Sequence, residues 1–325
     1  MILAGDIGGT KTVLALYGSD MRVVRLQEFP CAEFDSFEQI LDAFLRERDA
    51  AGLSGACFGV AGPVSEGVAK ITNLPWTIEA SKLVDRFGGL PVTLLNDLQA
   101  TALGALVVPA ETFAVLQPQG APIANGTVSV IALGTGLGEA TLVHQGTRYQ
   151  ALPSEGGHAD FAPTTDDEIE LLRHLRKIYG GHVSYERVLS GDGISELYAF
   201  VRAQTATKEP TWLAAQFASG DRNAAISKAA IEGKDAACVR ALEMFSEILG
   251  AEAGNFALRS VSTGGVVIGG GIPPKILPAL QTGALIKRFN DKGRFSSWTR
   301  TLGVRVLCEP RAALLGAAHY VATSK

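Results

Sequence analysis

The stretch that decides the fold is ILAGDIGGTKTVLALY, residues 2–17. Ile2 to Ile7 and Thr12 to Tyr17 are apolar runs of strand length, and residues 8–11, Gly-Gly-Thr-Lys, separate them. Two such runs joined by a short glycine-containing segment are typical of a β-hairpin, because glycine adopts the backbone conformations that tight turns need. We therefore predict a hairpin with glycine at its tip near the start of the chain.

A second hairpin of the same design is predicted in the middle of the chain. Val128 to Leu133 and Glu139 to His144 are apolar runs, and Gly134-Thr135-Gly136-Leu137-Gly138 joins them. After the glycines of both hairpins the chain continues as a strand, whereas Walker A and Rossmann motifs continue as a helix. The pattern therefore disfavours both of those nucleotide-binding motifs.

The first hundred residues alternate between strand and helix patterns. A helix begins after the N-cap signal of Ser36 and runs to about Ala50. Buried strands are predicted at Ala56 to Ala61 and Pro91 to Leu95, and a helix at Leu98 to Val107. This order is typical of an α/β lobe.

The later part of the chain is richer in helix. Predicted helices cover Asp166 to Tyr179, Gly193 to Gln204, Asn223 to Glu232, Asp235 to about Arg259 and Arg311 to Ala322. We predict an α/β protein of two lobes with a cleft between them. Residues 1–108 plus 309–325 form the smaller α/β lobe, and residues 109–308 form the larger, helix-rich α/β lobe.

Composition argues against several kinds of partner and site. Lysine and arginine number 29 against 33 aspartates and glutamates, a net charge of −4, and no long basic run occurs. We therefore expect no nucleic acid and no membrane as a partner. The N-terminus lacks the pattern of a signal peptide, so we expect a cytoplasmic protein. Four scattered cysteines without a C-x-x-C pair predict reduced thiols and no structural metal site.

Three glycine-rich segments are candidates for binding phosphate, because glycine lets backbone N–H groups approach oxygens closely. They are Gly8-Gly9-Thr10-Lys11, Gly134-Thr135-Gly136 and Gly269-Gly270-Gly271. Asp6 is placed to hold Mg²⁺ through water, and the third segment is placed to lie against adenosine. The alternative is that the glycines only serve tight turns and that Lys11 is a solvated hairpin residue.

Four segments carry polar residues suited to a ligand rich in hydroxyl groups. Asn96-Asp97 follows a strand and starts a helix, where ligands of open α/β sheets commonly bind, and Asp97 is the candidate general base. The other three segments are Glu155-Gly156-Gly157-His158, Glu186 with its neighbours, and Thr72-Asn73-Leu74-Pro75-Trp76. The alternatives are a helix N-cap for Asp97, a metal site for His158, a solvated charge for Glu186 and a core position for Trp76.

Together these segments resemble those of bacterial glucokinases, in the superfamily of hexokinase, actin and the heat-shock chaperone ATPases. The resemblance runs along nearly the whole chain. It is carried by residues 5–10, 72–76, 95–97, 134–138, 155–163, 186–191 and 269–272. A related group of sugar kinases and repressors follows the Glu-Gly-Gly-His step with a zinc-binding cysteine cluster, which this chain lacks. The resemblance implies the two-lobed actin-like (ribonuclease-H-like) fold, and places the chain in the non-zinc group.

The resemblance also implies roles for individual residues. Asp97 would be the base on the 6-hydroxyl of glucose. Glucose hydroxyls would contact Asn96, Asp97, Glu155, His158, Glu186 and Asn73. ATP and Mg²⁺ would contact Asp6, Gly8, Gly9, Thr10, Lys11, Gly134, Thr135, Gly136, Gly269, Gly270 and Gly271. The implied partners are glucose, ATP and a second copy of the chain in a homodimer.

Two alternative functions remain open. The first is a kinase for mannose, fructose or an N-acylhexosamine, because one fold serves many sugars. The second is a sugar-sensing protein without catalysis. The sequence has no helix-turn-helix pattern before the first phosphate loop, so a DNA-binding form of such a sensor is disfavoured.

Overall fold

A computed structural model describes residues 1–45, 52–71, 73–121 and 123–324. The strands are β1 (Ile2–Ile7), β2 (Lys11–Tyr17), β3 (Val23–Pro30), β4 (Gly55–Val60), β5 (Val64–Ser65), β6 (Val68–Lys70), β7 (Thr77–Glu79), β8 (Val92–Asn96), β9 (Phe113–Gln117), β10 (Val128–Leu133), β11 (Leu137–Gln145), β12 (Arg148–Ser154), β13 (Val266–Gly269) and β14 (Val304–Leu307).

The α-helices include a counterpart of each helix that the sequence predicts, together with further helices that it does not predict. They are α1 (Phe37–Phe44), α2 (Ala80–Arg86), α3 (Asp97–Gly104), α4 (Asp166–Tyr179), α5 (Gly191–Thr205), α6 (Thr211–Ser219), α7 (Arg222–Ile231), α8 (Ala236–Ser260), α9 (Leu277–Leu280), α10 (Ala284–Phe289), α11 (Ser296–Thr299) and α12 (Ala312–Thr323). Within the described part of the chain, no helix combines the length and apolar character that crossing a membrane requires.

The chain divides into two compact units. The first comprises Met1–Thr112, Leu142–Pro153 and Glu309–Lys325, and the second comprises Phe113–Thr141 and Ser154–Cys308. The division predicted from the sequence differs mainly at residues 142–153, which it gave to the larger lobe.

The end of β11 and most of β12 belong to the first unit because hydrogen bonds hold them there. Gln99 Nε2 donates to the Ala151 carbonyl at 3.0 Å, and an Arg148 guanidinium nitrogen donates to Ser324 Oγ at 3.2 Å. Both contacts join distant parts of the chain, so the local sequence pattern gives no indication of them.

The first unit is built on a five-stranded sheet of order β3-β2-β1-β4-β8. Strands β1, β4 and β8 run parallel, and their register aligns Ile7 with Val60 and Val60 with Asn96. The carboxyl ends of these three strands therefore lie at one edge of the sheet. Polar residues that follow a strand at this edge come together, although the sequence separates them by about ninety positions.

Helix α12 brings the C-terminus of the chain onto the first unit. It packs across α3 at a contact between two glycines: a Cβ on Gly104 would overlap the Ala312 carbonyl, and one on Gly316 would overlap the Ala100 carbonyl. The predicted return of the last helix to the first lobe is observed. Two helices that meet this closely fix the position of α3, which begins at Asp97.

The second unit is centred on β10, β13 and β14, which are parallel neighbours in a sheet of order β12-β11-β10-β13-β14-β9. Helix α8 is 25 residues long, and most of its side chains are buried. A helix buried nearly all round belongs to a core and not to a surface. The α/β fold predicted from the sequence is confirmed.

Two details of the first unit differ from the sequence-based expectation or lie beyond it. Helix α1 ends at Phe44. Its predicted extension to Ala50 lies mostly outside the described residues, and Thr72 of the predicted sugar segment also lies outside them. Trp76 is 5% exposed and packs in the core of the first unit. Its core position, which the sequence left as an alternative, is the one observed.

Candidate active site

The first glycine hairpin closes as predicted. The Gly8 N–H donates to the Lys11 carbonyl at 3.0 Å, and Asp6 lies on β1 one residue before its end. The ammonium group of Lys11 donates to Glu28 Oε2 at 2.9 Å, and both side chains are more than half exposed. The contact of Lys11 with phosphate therefore stays a prediction, and its nearest charge in this structure is a carboxylate.

Asn96, and not Asp97, is the N-cap of α3. Asn96 Oδ1 accepts from the Leu98 N–H at 2.9 Å, and Gln99 Oε1 accepts from the Asn96 N–H at 3.1 Å, which completes a capping box. The alternative reading of Asp97 as the N-cap is wrong, because Asn96 holds the N-cap position. Asp97 is the first helical residue, and its Oδ1 accepts from the Leu98 N–H at 2.8 Å.

Asp6 and Asp97 form a pair of carboxylates at the edge of the sheet. Burial, and then the negative charge of Asp97, raise the pKa of Asp6 from 3.8 to about 6, against the opposing effect of Lys11. Burial also raises the pKa of Asp97, while backbone N–H donors oppose it. A divalent cation bound to these carboxylates would offset the repulsion between them.

Gly59 on the neighbouring strand β4 lets α3 approach this pair. A Cβ on Gly59 would lie 2.9 Å from the Ala100 Cβ and 3.8 Å from the Asp97 Cα. Contacts that close do not occur between ordinary side chains, so any larger residue would move the start of α3. The position of Asp97 thus depends on Gly59, which the sequence pattern does not identify as part of the site.

The second glycine hairpin and Glu186 come together in the second unit. The Gly134 N–H donates to the Gly136 carbonyl at 2.9 Å, and Glu186 Oε2 accepts from the Leu137 N–H at 3.0 Å. Glu186 lies in a short 3-10 turn, Tyr185–Arg187, and is partly buried. The alternative of a solvated helix charge is therefore wrong, since a backbone donor holds this carboxylate in place.

Glu155 is the N-cap of a short 3-10 turn, Gly156–His158, and His158 is the last residue of this turn; both side chains are largely exposed. Their side chains are 87% and 60% exposed, and Glu155 Oε2 lies 3.9 Å from His158 Nε2. Across residues 1–45, 52–71, 73–121 and 123–324, no group of three or more His, Cys, Asp and Glu side chains is arranged to hold a metal ion.

The two glycines of this turn are required by packing, and flexibility is not the reason for them. A Cβ on Gly157 would overlap the Leu137 carbonyl, and a Cβ on Gly156 would overlap a carboxylate oxygen of Glu139. Neither glycine has a positive φ. The turn that carries Glu155 and His158 is therefore seated directly on β11, the strand that follows the second glycine hairpin.

The third glycine segment ends β13. Gly269 is buried in the strand, and Gly270 has a φ of +91°, a conformation that favours glycine. The Ile272 N–H donates to the Leu133 carbonyl at 3.1 Å, so this segment lies beside the start of the second glycine hairpin. The two predicted phosphate segments of the second unit are thus neighbours.

A cavity of about 560 Å³ opens within the second unit beside these segments. Its lining includes Gly134, Thr135 and Gly271, while Gly136, Gly269 and Gly270 are not part of it. The residues that sequence reasoning missed are Gly191, Asp192, Ile194, Asp221, Asn223, Ala224, Ser227, Lys228, Ile231, Glu232, Ile272, Lys275 and Ile276. Most come from one face of α7 and the start of α5, whose packing gives no signal in the sequence.

Asn73 is exposed and has a φ of +67°, in the left-handed region that Asn tolerates better than most residues. No contact with another predicted site residue is observed for it among the described residues. Its role in binding sugar stays a prediction.

Comparison with known proteins identifies the family to which the whole chain is similar. The sequence model of the family described as Glucokinase matches residues 3–324. A curated glucokinase of Synechocystis is 37% identical over 99% of this chain and 98% of its own length. The crystal structure of a glucokinase from an Antarctic psychrotroph is 32% identical, covers 99% of both chains and superposes with a TM-score of 0.88.

A more distant structure shares the fold. The ROK-family glucokinase of Streptomyces griseus, described in complex with glucose and AMPPNP, is 22% identical, covers 98% of both chains and has a TM-score of 0.62. The match of the family model over almost the whole length, together with full-length relatives above 30% identity, leads to one assignment: the chain belongs to the glucokinase family.

Proposed function

We propose that this protein transfers the γ-phosphoryl group of ATP to the 6-hydroxyl of glucose, with Asp97 as the general base. Membership of the glucokinase family supports the reaction. The observation that carries the assignment of the base is the position of Asp97: it is the first residue of α3, and Asn96, not Asp97, holds the N-cap position. Asp97 is a partly buried carboxylate at the edge of the sheet where ligands of α/β proteins bind.

The residues that bind the hydroxyl groups of glucose in this proposal are those that the family resemblance implies, Asn96, Asp97, Glu155, His158 and Glu186. Each of these side chains accepts hydrogen bonds or both donates and accepts them, which suits a neutral sugar. The Streptomyces griseus relative, described in complex with glucose and AMPPNP, supports this pair of ligands.

ATP occupies the cavity of the second unit. Its volume of about 560 Å³ lies within the range of roughly 300–1,000 Å³ that small-molecule sites have. Thr135 and the neighbouring glycine N–H groups contact the phosphates, and Lys275 and Lys228 supply positive charge at the wall. Gly8, Gly9 and Thr10 of the first hairpin contact the transferring group.

Magnesium fits the carboxylate pair of the first unit, because carboxylate oxygens are ligands that Mg²⁺ prefers. Asp6 would hold the ion, directly or through water. When bound, the ion neutralises negative charge on the phosphate oxygens during transfer.

Asp97 accepts the proton of the 6-hydroxyl as the oxygen attacks the γ-phosphate. The N–H groups that donate to Asp97 oppose the effect of burial on its pKa and favour its ionised form, which is the form that accepts a proton. General-base assistance of this kind contributes roughly 10²–10⁴ in rate. Glycine N–H groups of the hairpins hold the phosphate oxygens in line with the acceptor.

The experiment is a coupled assay of ATP and Mg²⁺ with glucose, fructose, mannose and N-acetylglucosamine, run on wild type, Asp97→Asn and Asp166→Asn. Asp166 is a matched control because it also is the first residue of a helix whose N-cap is another residue, Thr165. We expect glucose to be preferred and kcat to fall by about 10²–10⁴ in Asp97→Asn only.

Other outcomes identify the alternatives. Preference for another sugar would make the protein a kinase for that hexose. Sugar binding without phosphoryl transfer in the wild type would make it a sensor. Transfer that survives in Asp97→Asn would remove Asp97 from its role as the base. We also propose a cytoplasmic homodimer, which only the family resemblance supports, and light scattering of the purified protein tests the dimer.

A further inference from the structure

Two glutamates are buried side by side under the turn that carries Glu155 and His158. Glu139 on β11 is 1% exposed, and Glu252 on α8 is 0% exposed. Their nearest cation is Arg259, which bonds to both carboxylates and is itself half exposed. One partly hydrated guanidinium does not balance two buried carboxylates, which are costly to remove from water.

The hydrogen bonding of Glu139 indicates how this imbalance is resolved. Within the described residues no donor reaches Glu139 Oε1, although the atom is buried. Two ionised carboxylates offer no donor to each other, so a hydrogen bond between Glu139 and Glu252 requires a proton on one of them. Burial, and then the negative charge of Glu252, raise the pKa of Glu139 from 4.5 to about 8, against the opposing effect of Arg259.

Further polar groups surround the pair. From α8, Asn255 donates to Glu252 Oε2 at 3.2 Å and to the Tyr185 hydroxyl at 3.2 Å. Lys292, after α10, donates to Asn255 Oδ1 at 2.8 Å and to the Ala251 carbonyl. The pKa of Lys292 is lowered by burial first and then by Arg288.

The pair therefore lies within a network of polar groups. Tyr185 directly precedes Glu186, and burial and Glu252 raise its pKa, which keeps its hydroxyl neutral over the same range of pH. On the solvent side, the turn above Glu139 carries the exposed side chains of Glu155 and His158.

Glu139 touches the turn itself. A Cβ on Gly156 would overlap Glu139 Oε2, so no gap separates this carboxyl group from the turn. Ser154 Oγ donates to the Glu139 carbonyl at 3.2 Å and accepts from the Gly156 N–H at 3.2 Å. An outward movement of the Glu139 side chain would have to displace Gly156 and, with it, Glu155 and His158.

We propose that Glu139 is a positioning residue for the sugar site: as a neutral carboxylic acid bonded to Glu252 it seats the Glu155–His158 turn, and its ionisation displaces that turn and weakens glucose binding. Loss of the proton creates two repelling carboxylates in a buried space, and the space above Gly156 is the route to solvent. This inference rests on the proposed binding of glucose by Glu155 and His158.

The test measures the dissociation constant of glucose, without ATP, at pH 7 and pH 9 for wild type, Glu139→Gln and Glu243→Gln. Glutamine keeps the neutral shape of the protonated acid and cannot ionise. Glu243 is a matched control because it is an exposed glutamate on the same helix as Glu252. In the wild type and the control, we expect the Kd of glucose to be about threefold or more higher at pH 9 than at pH 7. A change of this size is typical of the coupling between residues in contact. In Glu139→Gln the Kd should stay nearly constant.

A second variant tests the origin of the effect. Glu252→Gln removes the charge that raises the proton affinity of Glu139, so the pH at which glucose binding weakens should move downward. In steady-state assays, the pH dependence that Glu139→Gln abolishes should appear in the KM for glucose and not in kcat or in the KM for ATP. Substitution of a residue with a merely structural role would change the KM for glucose, kcat and the KM for ATP together.

Thermal unfolding separates this inference from the proposed function, because it needs no sugar. The Tm of the wild type should fall relative to that of Glu139→Gln by a few degrees as the pH rises from about 5 to 9. A difference in Tm between wild type and Glu139→Gln that stays constant with pH would overturn the inference even if glucose is phosphorylated. If the difference in Tm changes with pH as predicted but glucose does not bind, Glu139 carries the buried proton, and both the proposed sugar site and the positioning role are rejected.

Discussion

Gly136 lies directly against the carboxylate of Glu186, and a Cβ at Gly136 would overlap Glu186 Oε2. The same oxygen accepts the Leu137 N–H, so the absence of a side chain at one residue allows the other to reach the glycine hairpin. A glycine that the sequence suggests for binding phosphate thus also positions a candidate sugar ligand.

Gly136→Ala should therefore weaken glucose binding more than ATP binding. We expect the KM for glucose to rise about tenfold or more, because the hydrogen bond of Glu186 to Leu137 is worth about 1.5–3 kcal/mol as a charged bond. Steady-state kinetics with each substrate varied in turn measures the effect. In a double-mutant cycle, Gly136→Ala should add little to Glu186→Ala; additive losses would contradict this explanation. Gly220→Ala, with no atom closer than 3.8 Å to its Cβ, is the control.

Ser227→Phe should fill part of the cavity in the second unit. Ser227 is a partly buried residue of α7 that lines the cavity, and phenylalanine is larger by several heavy atoms. The KM for ATP should rise about tenfold or more while the KM for glucose changes by less than about twofold, since the lining belongs to the proposed nucleotide site. Gln216→Phe, an exposed position outside the lining, is the control. An unchanged KM for ATP would mean that the nucleotide binds elsewhere.

Asp6→Asn should make the ligand-free protein more stable at pH 7.5 while lowering kcat. The folded-state pKa of Asp6 is about 6, above its ordinary 3.8, so the folded state keeps a proton that the unfolded state releases. The free energy of unfolding therefore falls as the pH rises from about 4 to 6 and stays lower above that. Asparagine removes this loss, which amounts to about 1–3 kcal/mol.

Urea unfolding at pH 4 and pH 7.5 checks this prediction. The gain of Asp6→Asn should be present at pH 7.5 and nearly absent at pH 4. Asp20→Asn, in an exposed turn of the same unit, should change stability by less than about 0.5 kcal/mol at both values. A variant as stable as wild type at pH 7.5 would show that the ionised side chain of Asp6 does not destabilise the folded protein.

Gly316→Ala should destabilise the first unit by about 2–4 kcal/mol, because its methyl group would overlap the Ala100 carbonyl of α3. Thermal unfolding measures the loss, with Gly220→Ala again as the control. Any folded fraction should also show a lower kcat, because α3 begins at Asp97 and must shift to admit the methyl group. Unchanged stability would mean that the two helices separate at little cost.

Local patterns predicted most of the elements that carry the site. The two glycine hairpins appear at the expected residues, and α4 begins and ends where the periodicity places it, with Thr165 and Glu168 forming its capping box. These features depend on neighbours within a few positions, such as turn glycines and N-cap side chains, so the sequence encodes them directly.

Other features were missed because their causes lie far away in the chain. Strands β3 and β12 have weak alternation, and each becomes a strand because a neighbouring strand offers it hydrogen bonds. The cavity lining on α7, the pairing of Lys11 with Glu28 and the capping by Asn96 in place of Asp97 likewise depend on tertiary packing.

The sequence by itself determined the α/β class, the glycine hairpins, and the residue types from which a glucokinase-like site is built. Only the tertiary structure decided which carboxylates lose water and which keep it. Asp6, Glu139 and Glu252 differ little from other acids in the sequence, yet packing brings Asp6 to Asp97 and buries Glu139 against Glu252. Proton affinity depends on solvation and on nearby charge, and both are set by residues that are distant in sequence.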